Sequence, residues 1–286
     1  MPWLDPAALS AATAADVLAD ALLAGLDPEA GPPRTSAPAP GGELLLMPAA
    51  HGRYAGVKTV SVAPGNPARG LPRIHGVYLL FDGETLVPVA LVDGAGLTVL
   101  RTPAVSLVGV ARLTPDRPLR TVVFGTGPQA SAHLRGVADL RPGSEFTVVG
   151  RDAAKSAAFA ARCGDLPVAA AVADADIVIC ATTAETPLFD GTAVPDAACV
   201  VAVGSHQPQV REVDEAFVAR AGLFVESRGA ATREAGELVG VDPARLVNLA
   251  ELLSGARVDL DRPRFFKTVG MAWEDLVVAG ALHTHL

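Results

Sequence analysis

Apolar residues recur at helical spacing from Leu9 through Ala12, Val17, Leu18, Ala21 and Leu22, which predicts a helix over residues 6–25 that Gly25 can stop. Residues 27–42 are rich in Pro and Gly and read as an extended connection. Short apolar or alternating runs predict strands at residues 44–47, 54–62, 74–82 and 87–93, with Gly83 at a hairpin turn between the last two. The pattern turns helical over residues 98–113. This first third therefore reads as a mostly antiparallel sheet with helices, α+β in character.

The rhythm changes after Thr114, Pro115 and Asp116. Apolar strands are predicted at residues 121–124, 146–149, 177–180, 199–203 and 223–225, with a weaker strand-like patch at 168–172. Helices are predicted over 129–140, 152–163 and, at the end of the chain, 270–282. Strands alternating with helices imply a parallel, doubly wound sheet.

Composition narrows the function classes. Half of the 286 residues are hydrophobic, 19% are charged and only 5% are aromatic, so the core must be built from Ala, Val and Leu. The net charge of −8 repels phosphate backbones, which argues against nucleic acid as a partner. Cys163, Cys180 and Cys199 form no C-x-x-C pair and are odd in number, so neither a disulfide framework nor a zinc site is indicated, and a reducing cytoplasm fits best. The histidines show no metal-ligand spacing; His283 and His285 are expected to be exposed, and His51, His75 and His133 are isolated. No signal peptide is evident, and no continuous apolar run is long enough to predict a membrane span.

The sharpest motif is Gly125-Thr126-Gly127-Pro128-Gln129-Ala130, a G-x-G-x-x-A turn between a predicted strand and a predicted helix. Gly125 permits the tight turn, Gly127 removes the Cβ that would block a pyrophosphate, and Ala130 allows close strand–helix packing. The helix N-terminus then offers its amides to the phosphates. A nicotinamide dinucleotide is the expected cofactor. The second strand of such a unit commonly ends in an acid for the ribose 2′-hydroxyl of NAD, but here it runs Val149-Gly150-Arg151-Asp152. Arg151 favours a 2′-phosphate and hence NADP, while Asp152 is the alternative ribose acceptor of NAD, displaced by a residue or two.

The remaining landmarks follow in order: Leu46-Met47-Pro48, Gly56-Val57-Lys58, Pro64-Gly65-Asn66, Gly70-Leu71-Pro72, Asp93-Gly94, Leu97-Thr98 and Arg101-Thr102-Pro103-Ala104. After the nucleotide turn come Ala181-Thr182-Thr183, Val203-Gly204-Ser205, Arg211-Glu212, Phe266-Lys267-Thr268-Val269-Gly270 and Glu274-Asp275-Leu276. Individually weak, together they give a chain that resembles the ornithine cyclodeaminase/mu-crystallin family. The resemblance implies a homodimer and a Rossmann-type doubly wound sheet inserted in an α+β domain. It divides the chain into a substrate-binding and dimerisation domain at 1–114, an NAD(P)-binding domain at 115–265 and a returning C-terminal helix at 266–286.

It also implies roles for residues. Arg34, Lys58 and Arg101, with Met47 nearby, match substrate-binding positions, and Lys58 and Arg101 match catalytic ones. Physical chemistry agrees: an amino or imino acid needs a cation for its carboxylate, and an arginine fork binds it bidentately. Lys58 interrupts an otherwise apolar strand, where partial burial would lower its pKa and make it a proton donor or relay. Thr102, Ala181, Thr182, Thr183, Val203, Gly204 and Lys267 join the turn residues as cofactor-binding candidates. Cyclodeaminases of the family carry an aspartate where this chain has His206, which is a candidate proton donor or else a plain loop histidine.

The expected activity is hydride transfer between NAD(P)H and the C=N carbon of a small imino or amino acid. A cyclodeaminase, and a non-catalytic NADPH-linked binding protein, are the alternatives the resemblance leaves open.

Overall fold

The computed structural model describes residues 1–168 and 172–284. The chain divides into two compact units, Met1–Arg101 with Met271–Leu286, and Thr102–Gly270. In chain order the elements begin β1 (Trp3–Leu4), α1 (Ala11–Leu23), β2 (Thr35–Ala39), β3 (Gly42–His51), β4 (Tyr54–Val62), β5 (Ile74–Asp82), β6 (Pro88–Asp93) and α2 (Gly94–Leu113). There follow β7 (Arg120–Phe124), α3 (Pro128–Leu140), β8 (Glu145–Val149), α4 (Ala153–Arg162), β9 (Ile177–Cys180), β10 (Cys199–Ala202), α5 (Glu215–Arg220), β11 (Gly222–Val225) and α6 (Arg228–Glu234). The last are β12 (Leu246–Asn248), α7 (Leu249–Leu253), β13 (Arg264–Lys267) and α8 (Ala272–Thr284).

In the first unit β1-β6-β5-β4-β3-β2 form a six-stranded sheet, antiparallel except where β1 joins β6. Side chains alternate across it. On β4, Gly56, Lys58 and Val60 are buried while Val57, Thr59 and Ser61 are half-buried. The buried face is packed under α8, whose inward residues include Glu274, Asp275, Leu276 and Val278. One row runs straight across this face in register: Met47 on β3, Lys58 on β4, Tyr78 on β5 and Val92 on β6.

The helix expected over 6–25 is divided by its own capping chemistry. Asp5 caps a short 3-10 turn at Pro6–Ala8, and Ser10 accepts the Thr13 amide to start α1. The supposed connection over 27–42 holds an edge strand, β2, whose Pro38 is tolerated because an edge strand need not donate on its open side. α2 is long and apolar enough by composition to cross a membrane, although Arg101 interrupts the run; 72% of its most apolar window is buried inside the protein, as befits a core helix.

The second unit holds seven parallel strands in the order β12-β11-β13-β10-β9-β7-β8. The chain leaves β7 toward β8 on one side and returns to β9 on the other, so the topological switch point lies between β7 and β9. β9 and β10 are buried throughout, hence their unbroken apolar runs; β13 is buried as completely, although Arg264 and Lys267 flank its two phenylalanines. β13 pairs with both β10 and β11, which places Phe266 and Lys267 in this sheet, so the segment that begins at 266 is first a strand here and only then α8. Of the patch at 168–172, Val168 makes a single parallel bridge to Val148, and residues 169–171 lie outside the described residues, as does His285.

Candidate active site

The first unit gathers a buried cluster of charge. Lys58 is 1% exposed. Its ammonium lies 2.8 and 2.7 Å from the two carboxylate oxygens of Asp275 and donates to Thr98 Oγ1 at 3.3 Å. Arg101 donates through Nη1 to Glu274 at 3.0 Å and through Nε to Asp275 at 3.3 Å. Local structure explains the convergence: the strand period sends Lys58 to the α8 face, and neighbouring residues in the first turn of α8 supply both carboxylates. Two cations against two anions make the cluster neutral, which is what makes its burial tolerable. Burial pushes the Lys58 ammonium down to about 8, with Asp275 resisting and Arg101 adding to the fall. Burial is complete here, where the sequence suggested it would be partial.

Tyr78 joins this row unannounced by the sequence. Its hydroxyl sits over Gly56, where an added Cβ would approach it to 2.2 Å, and is buried with no hydrogen-bond partner among the described residues. Burial and the Asp275 charge hold its phenol well above the ordinary range. Met47 is buried directly opposite Lys58. Arg34 is half-buried just before β2, at the sheet edge and two strands removed from Lys58.

The second unit holds the glycine turn. Gly125 follows β7 at φ +119°, and a Cβ there would strike the Ala181 carbonyl oxygen at 2.3 Å, so only glycine fits. Gly127 ends the turn at the start of α3; among the described residues a Cβ there would meet nothing within 4 Å, and no side chain caps the helix. Pro128 stands in the first turn, where its missing N–H is no loss. The helix start thus faces open space on the side where a pyrophosphate would be received, and Ala130 is buried beneath it. One turn on, His133 is fully buried, with Nδ1 2.8 Å from the Gln129 carbonyl oxygen and Nε2 2.9 Å from Ser106 Oγ. Burial drops its pKa to about 4, so it is a neutral packing group.

After β8, a Cβ on Gly150 would lie 2.3 Å from Ser156 Oγ and 3.0 Å from Thr126 Cγ2, so no acid fits at that position. Arg151 is exposed. Asp152 is the N-cap of α4, accepting the Lys155 amide, which lowers its pKa and commits one carboxylate oxygen to a structural bond.

Ala181, Thr182 and Thr183 follow β9, and Val203 and Gly204 follow β10, at the same C-terminal edge as the glycine turn. Thr102 is buried on α2. His206 is exposed in the loop after β10. Lys267 departs from expectation: fully buried, it donates to the Ser205 carbonyl at 2.6 Å and the Ala202 carbonyl at 3.3 Å and lies 3.9 Å from Glu237. It ties the β10 loop down from beneath rather than offering its ammonium to a ligand. His283 departs too, being half-buried with Nδ1 2.9 Å from the Tyr54 hydroxyl. Among the described residues no group of three or more His, Cys, Asp or Glu side chains comes together to hold a metal.

A model of the ornithine cyclodeaminase/mu-crystallin family matches residues 10–286. A Delta(1)-pyrroline-2-carboxylate reductase of Burkholderia ambifaria is 36% identical over 245 residues, covering 82% of this chain and 78% of its own. The ketimine reductase mu-crystallin of Mus musculus is 32% identical over 228 residues, 78% of this chain and 73% of its own. Among solved structures, the Delta(1)-pyrroline-2-carboxylate reductase of Thermococcus litoralis, in complex with NADH and L-proline, superposes with a TM-score of 0.91 at 26% identity, covering 99% of this chain and 97% of its own.

Proposed function

The chain belongs to the ornithine cyclodeaminase/mu-crystallin family, and from that premise we propose that it is an NAD(P)H-dependent reductase of the C=N bond in small cyclic imino acids. The observation that carries this reading is the Lys58–Arg101–Glu274–Asp275 cluster, because a ketimine carboxylate needs both a cation for its carboxylate and a proton donor for its nitrogen. Arg101, the more accessible of the two cations with 8% of its side chain exposed, holds the carboxylate. Lys58, brought to about 8, supplies or stabilises the proton at the imine nitrogen near neutral pH. Asp275 orients both cations. The dinucleotide, when bound, supplies the hydride. Gly125, Thr126, Gly127 and Gln129 would hold its pyrophosphate, and Thr182 and Gly204 would hold its other half. One hydride at carbon and one proton at nitrogen convert C=N to CH–NH.

NADP is the preferred form in this reading: Gly150 leaves no room for the acid that NAD uses, and exposed Arg151 suits a 2′-phosphate. Comparing KM for NADPH and NADH tests it, and a clear NADH preference would reject it. The chain acts as a homodimer. On the sheet face away from α8, Leu44 and Leu46 are 40% and 41% exposed. Beside them runs a row of Pro48, Val57, Leu79, Leu91 and Trp3 in register. A second copy would cover that apolar face. Leu46→Glu should then yield monomers by sedimentation, and an unchanged mass would reject the interface. The three free cysteines fit the cytoplasm.

The test of the activity is NADPH oxidation by Delta(1)-pyrroline-2-carboxylate. Turnover is expected. Cofactor binding without turnover of any cyclic ketimine would favour a binding protein, and ammonia release from ornithine without net cofactor change would favour a cyclodeaminase.

A further inference from the structure

Behind the loops at the C-terminal edge of the second unit lies a buried acidic network that the mechanism above does not use. Glu212 is fully buried. One of its carboxylate oxygens accepts the Thr182 amide at 2.9 Å and the Thr182 hydroxyl at 2.7 Å; the other accepts the Gly204 amide at 2.7 Å. The Thr182 hydroxyl in turn receives the Ala184 amide, so its own hydrogen is directed at Glu212. A single side chain therefore staples the residues that follow β9 to those that follow β10. Glu237 backs it, accepting the Glu212 amide at 2.8 Å and the Ser205 hydroxyl at 2.9 Å. Lys267 braces the same loop through the Ser205 carbonyl. The fit is tight: a Cβ on Gly204 would lie 2.6 Å from the Glu212 carboxylate and 2.1 Å from the Thr182 carbonyl oxygen.

In a doubly wound dinucleotide fold, the first strand, its glycine turn and the second strand receive the adenosine half, and the strands beyond the switch point receive the other half. Here β7 and β8 form the first set, and β9 and β10 form the second. We propose that Glu212 is a positioning residue for the nicotinamide half of the dinucleotide, fixing the Thr182 and Gly204 backbones on which that half rests. The inference builds on the dinucleotide reading above. Three donors converge on the carboxylate, so its ionised form is the one the site is built around. Burial raises its pKa, with Lys267 and these hydrogen bonds opposing. A glutamine would turn an N–H toward one of the donors and open the staple on that side.

The experiment compares two ligands on the full-length protein, NADPH and its adenosine half, adenosine 2′,5′-bisphosphate, by calorimetry, with NADPH fluorescence reporting the nicotinamide environment. Glu212→Gln is expected to weaken NADPH about tenfold, to reduce the fluorescence enhancement, and to leave the half-molecule within about twofold of wild type. Glu212→Asp, too short to reach both loops, should show the same selectivity and serves where the glutamine variant loses its thermal transition. Equal weakening of both ligands, or of neither, in a folded variant overturns the proposal. If the wild-type protein binds neither of these ligands nor NADH, the dinucleotide reading itself falls, an outcome distinct from an unselective variant.

Discussion

Replacing Asp275 by Asn removes the charge on which both cations of the first unit depend while nearly preserving shape. The Lys58 ammonium lies 2.8 and 2.7 Å from the two Asp275 oxygens. Two unit charges about 4 Å apart interact by about 4 kcal/mol at an effective dielectric constant of about 20. At about 1.4 kcal/mol per tenfold change, that loss carries the Lys58 pKa from about 8 toward about 5. Arg101 stays charged, keeping Glu274, and its repulsion acts in the same direction. Because Lys58 can shed its proton, the stability cost should fall below the roughly 3–5 kcal/mol expected when a buried charge is stranded. The assay is kcat/KM for cyclic ketimine reduction from pH 5 to 10. Wild type should lose activity as pH rises through about 8, where Lys58 gives up its proton. Asp275→Asn should lose it from about pH 5 upward, leaving about one hundredth of wild-type activity at pH 7. Protonation of the substrate itself is common to both proteins and cancels in the comparison. A variant whose falling limb stays near that of wild type would show that the rate does not depend on the Lys58 proton.

The two glycines of the nucleotide turn should fail differently. Gly125→Ala meets the Ala181 carbonyl at 2.3 Å in a left-handed conformation and should cost several kcal/mol of stability, read as a lowered Tm. Gly127→Val has room and should fold normally, yet obstruct the helix start and weaken NADPH binding at least tenfold; unchanged affinity would mean the open space there receives no phosphate. His133, held at about 4 against an ordinary 6.5, keeps a lower proton affinity in the folded state than in the unfolded chain. Its contribution is therefore intact above about pH 6.5 and is lost as pH falls toward 4, by up to about 3 kcal/mol. Chemical denaturation of His133→Gln should show a flatter decline in stability over that window, and a parallel decline would contradict the assignment.

Those elements whose burial repeats with a local period could be read before any coordinates. β4, β5 and β9 run over the residues that alternation or an unbroken apolar run marks, and the glycine turn lies where strand, glycine and helix follow one another. β12 is not legible in the sequence because three residues carry no period, and β13 is not because Arg264 and Lys267 bracket two phenylalanines like a charged surface segment. Both cations are in fact buried, made possible by carbonyls at Ala197 and Ser205 that come from distant stretches of chain, with the Leu260 carbonyl nearby in sequence also receiving Arg264. β2 hid in a segment whose prolines and glycines speak for a loop and whose edge position spares it from needing every ladder bond.

The acids were harder to read than the cations, for a physical reason. A lysine in an apolar strand is locally anomalous and draws attention; the carboxylate that neutralises it is not, because Glu274 and Asp275 fall in the first turn of a helix, where acids are favoured by the helix dipole alone. Lys58 and Asp275 are 217 positions apart, and no local pattern connects them. Glu212 carries no local signal of its charge partners either: it stands out only within the Arg211-Glu212 landmark, in a polar stretch before a short helix, although it accepts hydrogen bonds from two other loops. The residues proposed to hold the dinucleotide sit at strand ends and in a glycine turn, where chain geometry exposes them to reading. The anions that fix those residues are set by tertiary closure, and only electrostatic accounting of each buried cation and each inward-pointing amide locates them.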